Sequence, residues 1–341
     1  TSASSLIRPM SRWPKPGSRG LGCKISYNMG SEDKYHYKNR GSRMTSKFEN
    51  DEHTIYWGEA VETLKTEIPS ESIDLVFVDP PYNIGKKFNN FIDRWQSDDA
   101  YAAWAYKWLN ECIRVLKKTG TLYVMTSTQA MPYFDIFLRN KLTILSRIVW
   151  HYDSSGVQAK KYFGSMYEPI LHCVKDPKNY TFNADDIKIE AKTGAQRKLI
   201  DYRKPIPTQY NTDKVPGNVW YFPRVRYRMD EYEEHPSQKP ESLLERIIRA
   251  SSNEGDIVLD PFAGTFTTSA VAKELKRKSI SIESQEEYVK IGLRRVLQMQ
   301  SYQGQELRPP ERTFKSRKKE NGKASGFALG AGKVGNRRIV K

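Results

Sequence analysis

Asp79-Pro80-Pro81-Tyr82 sets a carboxylate, two residues without an N–H, and an aromatic ring side by side, directly after the apolar run Ile73-Asp74-Leu75-Val76-Phe77-Val78. That run reads as a buried strand of a parallel sheet. Asp79 is then expected at a strand's carboxyl end, where open α/β sheets place their ligands. Neither proline can donate a hydrogen bond. The turn therefore offers acceptors, the Asp79 carboxylate and the carbonyls of Asp79 and Pro80, beside the flat face of Tyr82. Acceptors next to a stacking surface suit an exocyclic amino group on a planar ring, such as N6 of adenine or N4 of cytosine. A Pro-rich turn that only ends a strand, with Tyr82 covering the core, would use the same four residues, so a second site has to decide.

That second site is Gly255-Asp256-Ile257-Val258-Leu259-Asp260-Pro261-Phe262-Ala263-Gly264-Thr265-Phe266-Thr267-Thr268. Ile257 to Leu259 is a short strand closed by Asp260. Gly264 allows a tight turn, and Thr265 to Thr268 opens a helix running through Ala270, Val271 and Ala272. Strand, glycine turn and helix make the nucleotide-binding half of a Rossmann-like fold. Ser279-Ile280-Ser281-Ile282-Glu283 follows as a second strand ending in an acid, which can accept from both hydroxyls of a ribose. This pattern alone is common to many dinucleotide enzymes.

The two sites together resemble the DNA amino-methyltransferases (N4/N6 family) that use S-adenosylmethionine, in which a D/N/S-P-P-Y/F/W motif holds the target base and a D-P-F-x-G-x-G-T-like motif holds the cofactor. The base motif comes first here, as in the β arrangement of that family. The resemblance runs from about Thr54 to about Ser301 and includes His235-Pro236-Ser237-Gln238-Lys239-Pro240. The stretches Val149 to Lys161 and Val215 to Trp220 look closest to the YhdJ-type adenine methyltransferases of bacteria. The resemblance implies an α/β fold: a Rossmann-like, mostly parallel sheet with an antiparallel edge strand, in circularly permuted order, with an inserted target-recognition region. It implies catalysis by Asp79, Pro80, Pro81 and Tyr82 on a flipped-out adenine of duplex DNA. S-adenosylmethionine would be held by Asp260, Phe262, Ala263, Gly264, Thr265 and Glu283, with Lys239 at its carboxylate and Glu59 near its adenine; no metal is required. N4-cytosine methylation stays open as an alternative, as does a nucleic-acid-binding homologue that has lost catalysis.

Two departures bear on this. The family's second glycine is Phe266 here, and a bulky residue adopts φ > 0 only at a cost. The turn is therefore expected to use ordinary dihedrals at that point, and Phe266 could block the cofactor. Gly58-Glu59 stands where Gly-Asp is common, and glutamate reaches one methylene further.

The charge of +16 is unevenly placed. Residues 1–43 hold nine Lys/Arg against two acids, and residues 308–341 hold eleven against two, so residues 44–307 balance at 36 of each sign. Basic ends with little apolar content read as disordered and as sequence-independent attachment to nucleic acid. The expected organisation is a basic extension (1–43), a catalytic half (44–175), a target-recognition insertion (176–234), a cofactor half (235–307) and a basic tail (308–341). Within the insertion Lys192, Arg197, Arg203, Arg224, Arg226 and Arg228 are the expected DNA contacts, because Arg mixed with Tyr suits phosphates, guanine edges and stacking. Tyr210, Trp220 and Phe222 are expected to need a core.

No apolar run approaches the roughly 18 residues of a membrane helix. Cys23, Cys112 and Cys173 outline no disulfide framework, which suits a reducing compartment; none follows a proline, and no Cys/His spacing suggests zinc. A cytoplasmic, nucleoid-associated protein is expected, a homodimer stays open, and the acid-free residues 1–30 also fit an organellar transit peptide. To position the two sites, the spacing predicts a helix from Ser97 to Lys118 with Trp104 and Trp108 in the core and Gly120 as its stop. It predicts a strand over Thr121 to Thr126, then a helix over Gln129 to Leu138 with Pro132 in its first turn. Leu142 to Trp150 and Glu168 to Val174 are expected as an antiparallel pair of strands at one edge.

Overall fold

Among the described residues, ten strands join in one sheet. In chain order they are β1 (Tyr37–Lys38), β2 (Thr45–Glu49), β3 (His53–Trp57), β4 (Ile73–Val78), β5 (Leu116–Met125), β6 (Thr143–His151), β7 (Tyr167–Val174), β8 (Val219–Tyr221), β9 (Ile257–Asp260) and β10 (Lys278–Glu283). The computed structural model describes residues 37–38, 45–88, 91–152, 160–192, 199–203 and 205–310. The chain divides into two units, Thr1–Lys34 and Tyr35–Lys341, and the first lies outside the described residues. The expected disorder of the basic ends concerns residues that mostly fall outside them too. Tyr37–Lys38 is an exception, since it pairs antiparallel with β2.

The sheet order is β1-β2-β3-β10-β9-β4-β5-β7-β6-β8. β3, β10, β9, β4 and β5 run parallel. β7 is antiparallel to both β5 and β6, and β8 adds parallel to β6. The expected antiparallel pair is present, but its reversed strand β7 lies inside the sheet, because β6 and β8 continue the sheet beyond it. β9, late in the chain, pairs with β4, with Leu259 opposite Val76. The chain leaves β4 toward β5 on one side and β9 toward β10 on the other, which opens a crevice at the carboxyl ends of β4 and β9.

Period-2 alternation explains how both faces are covered. Val76 and Val78 join the cluster of Leu64, Trp108, Cys112 and Phe134, from α1 (Ala60–Glu67), α2 (Asp98–Val115) and α3 (Met131–Arg139), and Ile73 reaches the same cluster through the irregularity between Ile73 and Leu75. Leu75 and Phe77 join Leu243, Ile247 and Val271 from α4 (Glu241–Ser251) and α5 (Thr267–Glu274). A third cluster places Val289 and Leu293 of α6 (Glu286–Arg295) against Ile55 and Phe266.

Several local expectations change. α2 begins at the Ser97 cap, whose hydroxyl accepts from the Ala100 N–H at 3.1 Å, but it ends at Val115. Leu116 already belongs to β5, and the β4–β5 pairing is irregular between Ile73 and Leu75. Gly120 is thus no helix stop. It lies inside the strand, where a Cβ would sit 2.7 Å from Leu116 and 3.0 Å from the Asp74 carbonyl. Pro132 does fall at the start of α3. In the insertion, two short antiparallel ribbons form, 189–190 with 213–214 and 200–201 with 208–209. Trp220 and Phe222 are buried against Trp150, whereas Tyr210 is exposed and lies under the Arg203 guanidinium instead of in a core.

Candidate active site

The crevice is a cleft of about 490 Å³, a size suited to a small organic ligand. All twelve residues expected to bind base or cofactor line it: Asp79, Pro80, Pro81, Tyr82, Glu59, Lys239, Asp260, Phe262, Ala263, Gly264, Thr265 and Glu283. Arg224 lines it as well, its guanidinium 5.2 Å from the Tyr152 ring centre. Lys192, Arg203, Arg226 and Arg228 lie elsewhere, and Arg197 falls outside the described residues. Arg203 is engaged by Asp201 at 2.8 and 3.0 Å.

At one end, β4 delivers Asp79 and the proline turn carries the chain over to Tyr82. The turn is pinned from below: the Tyr101 hydroxyl donates to the Pro81 carbonyl at 2.7 Å, and the Tyr82 N–H donates to Asp93 at 3.2 Å. Asp93, nearly fully buried, also accepts from the Lys86 N–H and so closes the loop on itself. The Tyr82 hydroxyl lies 2.6 Å from Asp79 Oδ1 and 2.8 Å from Glu168 Oε2. Lys239 Nζ lies 2.8 Å from Asp79 Oδ2 and 3.4 Å from Glu168 Oε2. Burial pushes the Asp79 carboxyl up against the pull of Lys239. Burial pulls the Lys239 ammonium down, but the two carboxylates outweigh it and leave its pKa above the ordinary value. Lys239 was expected at a cofactor carboxylate. Its ammonium pairs with Asp79 and Glu168 here, because a buried ammonium takes the carboxylates within its reach.

At the other end the acids rest on main-chain donors. Asp260 accepts from the Phe262 N–H at 3.0 Å and the Thr268 hydroxyl at 2.6 Å. Glu283 accepts from the Gly264 N–H at 2.9 Å and the Gln285 N–H at 2.8 Å. Burial pushes both carboxyls up to about 7, against these hydrogen bonds. Gly264 has φ +50, and a Cβ there would meet His235 Nε2 at 3.3 Å. His235, held neutral mainly by burial with its pKa lowered to about 3, accepts the Ser237 N–H on Nδ1. Glu59 caps α1 by accepting the Glu62 N–H at 3.1 Å.

Phe266 corrects an expectation outright. Its φ is 59° and ψ 29°, in the left-handed region. The strain is offset because the ring is fully buried, lying flush against α6 at Gly292, where a Cβ would come within 2.6 Å of it. The ring turns into the core and is not among the residues lining the cleft.

Glu168, Trp95, Trp104, Tyr152, His235 and Asp93 line the cleft without having been singled out as site residues. Trp104 has helical spacing and read as core; it is half-buried, 5.8 Å from Phe262 between ring centres. Glu168 follows no motif, and only the β5–β7 pairing carries it to Asp79.

The DNA methylase family profile matches residues 73–294. The DNA adenine methyltransferase YhdJ of Escherichia coli is 61% identical over 262 residues, covering 77% of this chain and 88% of that protein. The type II methyltransferase M.HpaI of Haemophilus parainfluenzae is 37% identical over 239 residues, covering 70% and 72%. Among solved structures, PvuII DNA methyltransferase (cytosine-N4-specific) aligns with a TM-score of 0.54 at 19% identity, over 72% of this chain and 86% of that one, a likeness of fold.

Proposed function

We propose that this chain, which belongs to the DNA methylase family, transfers a methyl group from S-adenosylmethionine to N6 of an adenine flipped out of duplex DNA. The observation that carries the reading is the meeting of Asp79-Pro80-Pro81-Tyr82 and the Asp260–Glu283 acids in one cleft. Adenine is favoured over cytosine by the 61% identity with a DNA adenine methyltransferase, across 88% of that protein.

The lining fits the cofactor. Glu59, Asp260 and Glu283 with Phe262 and Trp104 give an acidic and aromatic surround, suited to a sulfonium cation and to ribose hydroxyls. When bound, S-adenosylmethionine supplies an electrophilic methyl group. Glu283 and the Gly264 turn hold the cofactor's place, and Asp260 fixes that turn through Phe262 and Thr268. The exocyclic amino group of adenine is a poor nucleophile, because its lone pair is delocalised into the ring. Asp79 and the Pro80 carbonyl accept its hydrogens and favour a pyramidal nitrogen, while Tyr82 stacks on the base. Reaction is an in-line displacement in which alignment supplies much of the rate.

Lys192, Arg226 and Arg228 are exposed in or after the ribbons and suit contacts to DNA outside the cleft. Arg224 lines the cleft wall, which supports a role nearer the flipped base. Function on DNA suits a cytoplasmic, nucleoid-associated protein; among the described residues no helix is long and apolar enough to cross a membrane. The test is incubation of the full chain with duplex DNA and labelled S-adenosylmethionine, followed by nucleoside analysis. N6-methyladenine is expected; N4-methylcytosine would move the assignment to cytosine, and no transfer despite cofactor binding would reject it.

A further inference from the structure

An amino nitrogen that gains a methyl group must lose a proton. Its lone pair forms the N–C bond, the C–S bond breaks with its pair left on sulfur, and one N–H proton then departs. The cleft holds a place for that proton. Tyr82 Oη is 2.6 Å from Asp79 Oδ1 and 2.8 Å from Glu168 Oε2. A phenol carries one proton and donates to one of these at a time. With both acids ionised, one contact would set lone pair against lone pair. Both become hydrogen bonds when one acid holds a proton and donates it to Tyr82 Oη while Tyr82 donates to the other. The trio is thus complete with one proton more than two ionised carboxylates and a phenol carry.

The surroundings support this. Lys239 Nζ touches both carboxylates, at 2.8 and 3.4 Å, and holds them together. The Tyr152 hydroxyl reaches Glu168 Oε1 at 3.4 Å, with the Arg224 guanidinium over the Tyr152 ring. Lys86 stands further along the cleft, held by the Pro236 carbonyl at 2.6 Å. Burial raises the proton affinity of the Asp79 carboxyl against the pull of Lys239, which suits a group that takes a proton and passes it on. Glu168, by contrast, stands on β7, across β5 from Asp79, so it can take a proton away from the reacting atoms.

We propose that Glu168 is the terminal acceptor of the proton lost by the target amino group, received from Asp79 through the Tyr82 hydroxyl. Asp79 Oδ1 takes the N–H proton and passes a proton to Tyr82 Oη. Tyr82's own proton moves to Glu168 Oε2, and Glu168 releases it to water in the cleft. No oxidant, reductant or further reactant is consumed. Glu168 acts through Tyr82 and is a positioning and relay residue. The proposal rests on the amino-methylation reading above.

The test is single-turnover methyl transfer to duplex DNA by the full chain, comparing wild type, Tyr82→Phe, Glu168→Gln, the double variant and Glu168→Ala with and without formate. Cofactor binding and thermal melting are followed in parallel. Each single variant is expected to slow transfer by about a hundredfold, with the double variant no slower than the slower single. Formate, a small carboxylate entering the space left in Glu168→Ala, is expected to restore much of the rate, but not when Tyr82→Phe is also present. Multiplicative losses in the double variant would overturn the relay. So would a folded Glu168→Ala variant that formate leaves unchanged, since Glu168 would then only hold Lys239. Should Glu168→Ala not fold, the Tyr82→Phe and Glu168→Gln pair decides alone. Failure of the functional reading looks different: wild type itself would place no label on an exocyclic amino group.

Discussion

The two ends of the cleft hold their acids by different means. At the base end, Asp79 and Glu168 rest on side chains, the Lys239 ammonium and the Tyr82 hydroxyl. At the cofactor end, Asp260 and Glu283 rest on the N–H groups of Phe262, Gly264 and Gln285 and on the Thr268 hydroxyl. Side-chain partners can turn away when a ligand with its own donors arrives; main-chain partners are fixed by the fold. On the function proposed above, the Asp79–Glu168 end is suited to exchanging hydrogen bonds and protons with a base, and the Asp260–Glu283 end to receiving a cofactor preformed. The carboxyls of Asp79, Asp260 and Glu283 are all raised by burial. Only the base end has a cation within ion-pair distance of its acids among the described residues.

The comparison breaks most sharply at Asp79. Asp79→Ala is expected to lower the rate of methyl transfer by about a thousandfold or more, on the scale of losing a preorganised electrostatic group at a reacting centre. Cofactor affinity should hold, since the cofactor end shares none of its partners. The variant should also melt lower, because Lys239 loses its nearest carboxylate and breaking a buried pair costs roughly 3–5 kcal/mol. Wild-type turnover in Asp79→Ala would end the distinction between the two ends.

Glu283→Gln should do the reverse. The apparent KM for S-adenosylmethionine is expected to rise about tenfold or more, with the KM for DNA little changed, as for loss of a hydrogen bond to a charged group. Equal effects on both substrates would remove the ribose role. Its pH signature has a definite sign. A carboxyl raised from its ordinary value to about 7 by folding stabilises the ligand-free fold below its unfolded pKa, and that stabilisation is lost as pH rises through 7. Melting temperature in the absence of cofactor should fall more between pH 6 and pH 8 in wild type than in Glu283→Gln.

Gly292→Ala tests the preformed end from behind. The added Cβ would lie 2.6 Å from the buried Phe266 ring, an overpacking worth about 1–3 kcal/mol. Calorimetry should show a lower melting temperature, and titration a weaker cofactor, because Phe266 follows directly on Thr265 of the cleft wall. Unchanged cofactor affinity in a destabilised variant would uncouple Phe266 from the site.

The smallest effect on the cleft is expected from the ends of the chain. A chain trimmed to residues 35–310 should keep the methylated sequence and both KM patterns. It should bind DNA more weakly, with a shallower dependence of log affinity on log salt, since fewer phosphates are neutralised. An unchanged salt slope would place the electrostatic contacts on the described residues instead.

Much of this was legible in the residues because it is local. A strand, a proline turn and a ring are set by neighbours in the chain, so Asp79 to Tyr82 could be read as an acceptor site. The strand, Gly264 turn and helix could likewise be read as a cofactor site, and Glu283 as the acid at its next strand end. All line the cleft. The extent of α2 was misjudged because helical spacing continues past Val115 while pairing to β4 captures Leu116. Phe266 was misjudged because backbone preference is local, whereas the slot opposite Gly292 that offsets its strain is not.

What the chain determined by itself was the chemistry of each half: acceptors beside a ring, and a glycine turn between two acid-tipped strands. What only the tertiary structure decided was which groups meet. The pairing of β9 with β4 joins the halves into one cleft. The antiparallel entry of β7 beside β5 brings Glu168 to Tyr82, and the segment ahead of α4 turns Lys239 onto Asp79. Residue type and spacing fix what a segment can donate or accept. The partner of a buried charge is fixed by distance across the sheet, and that depends on strand order.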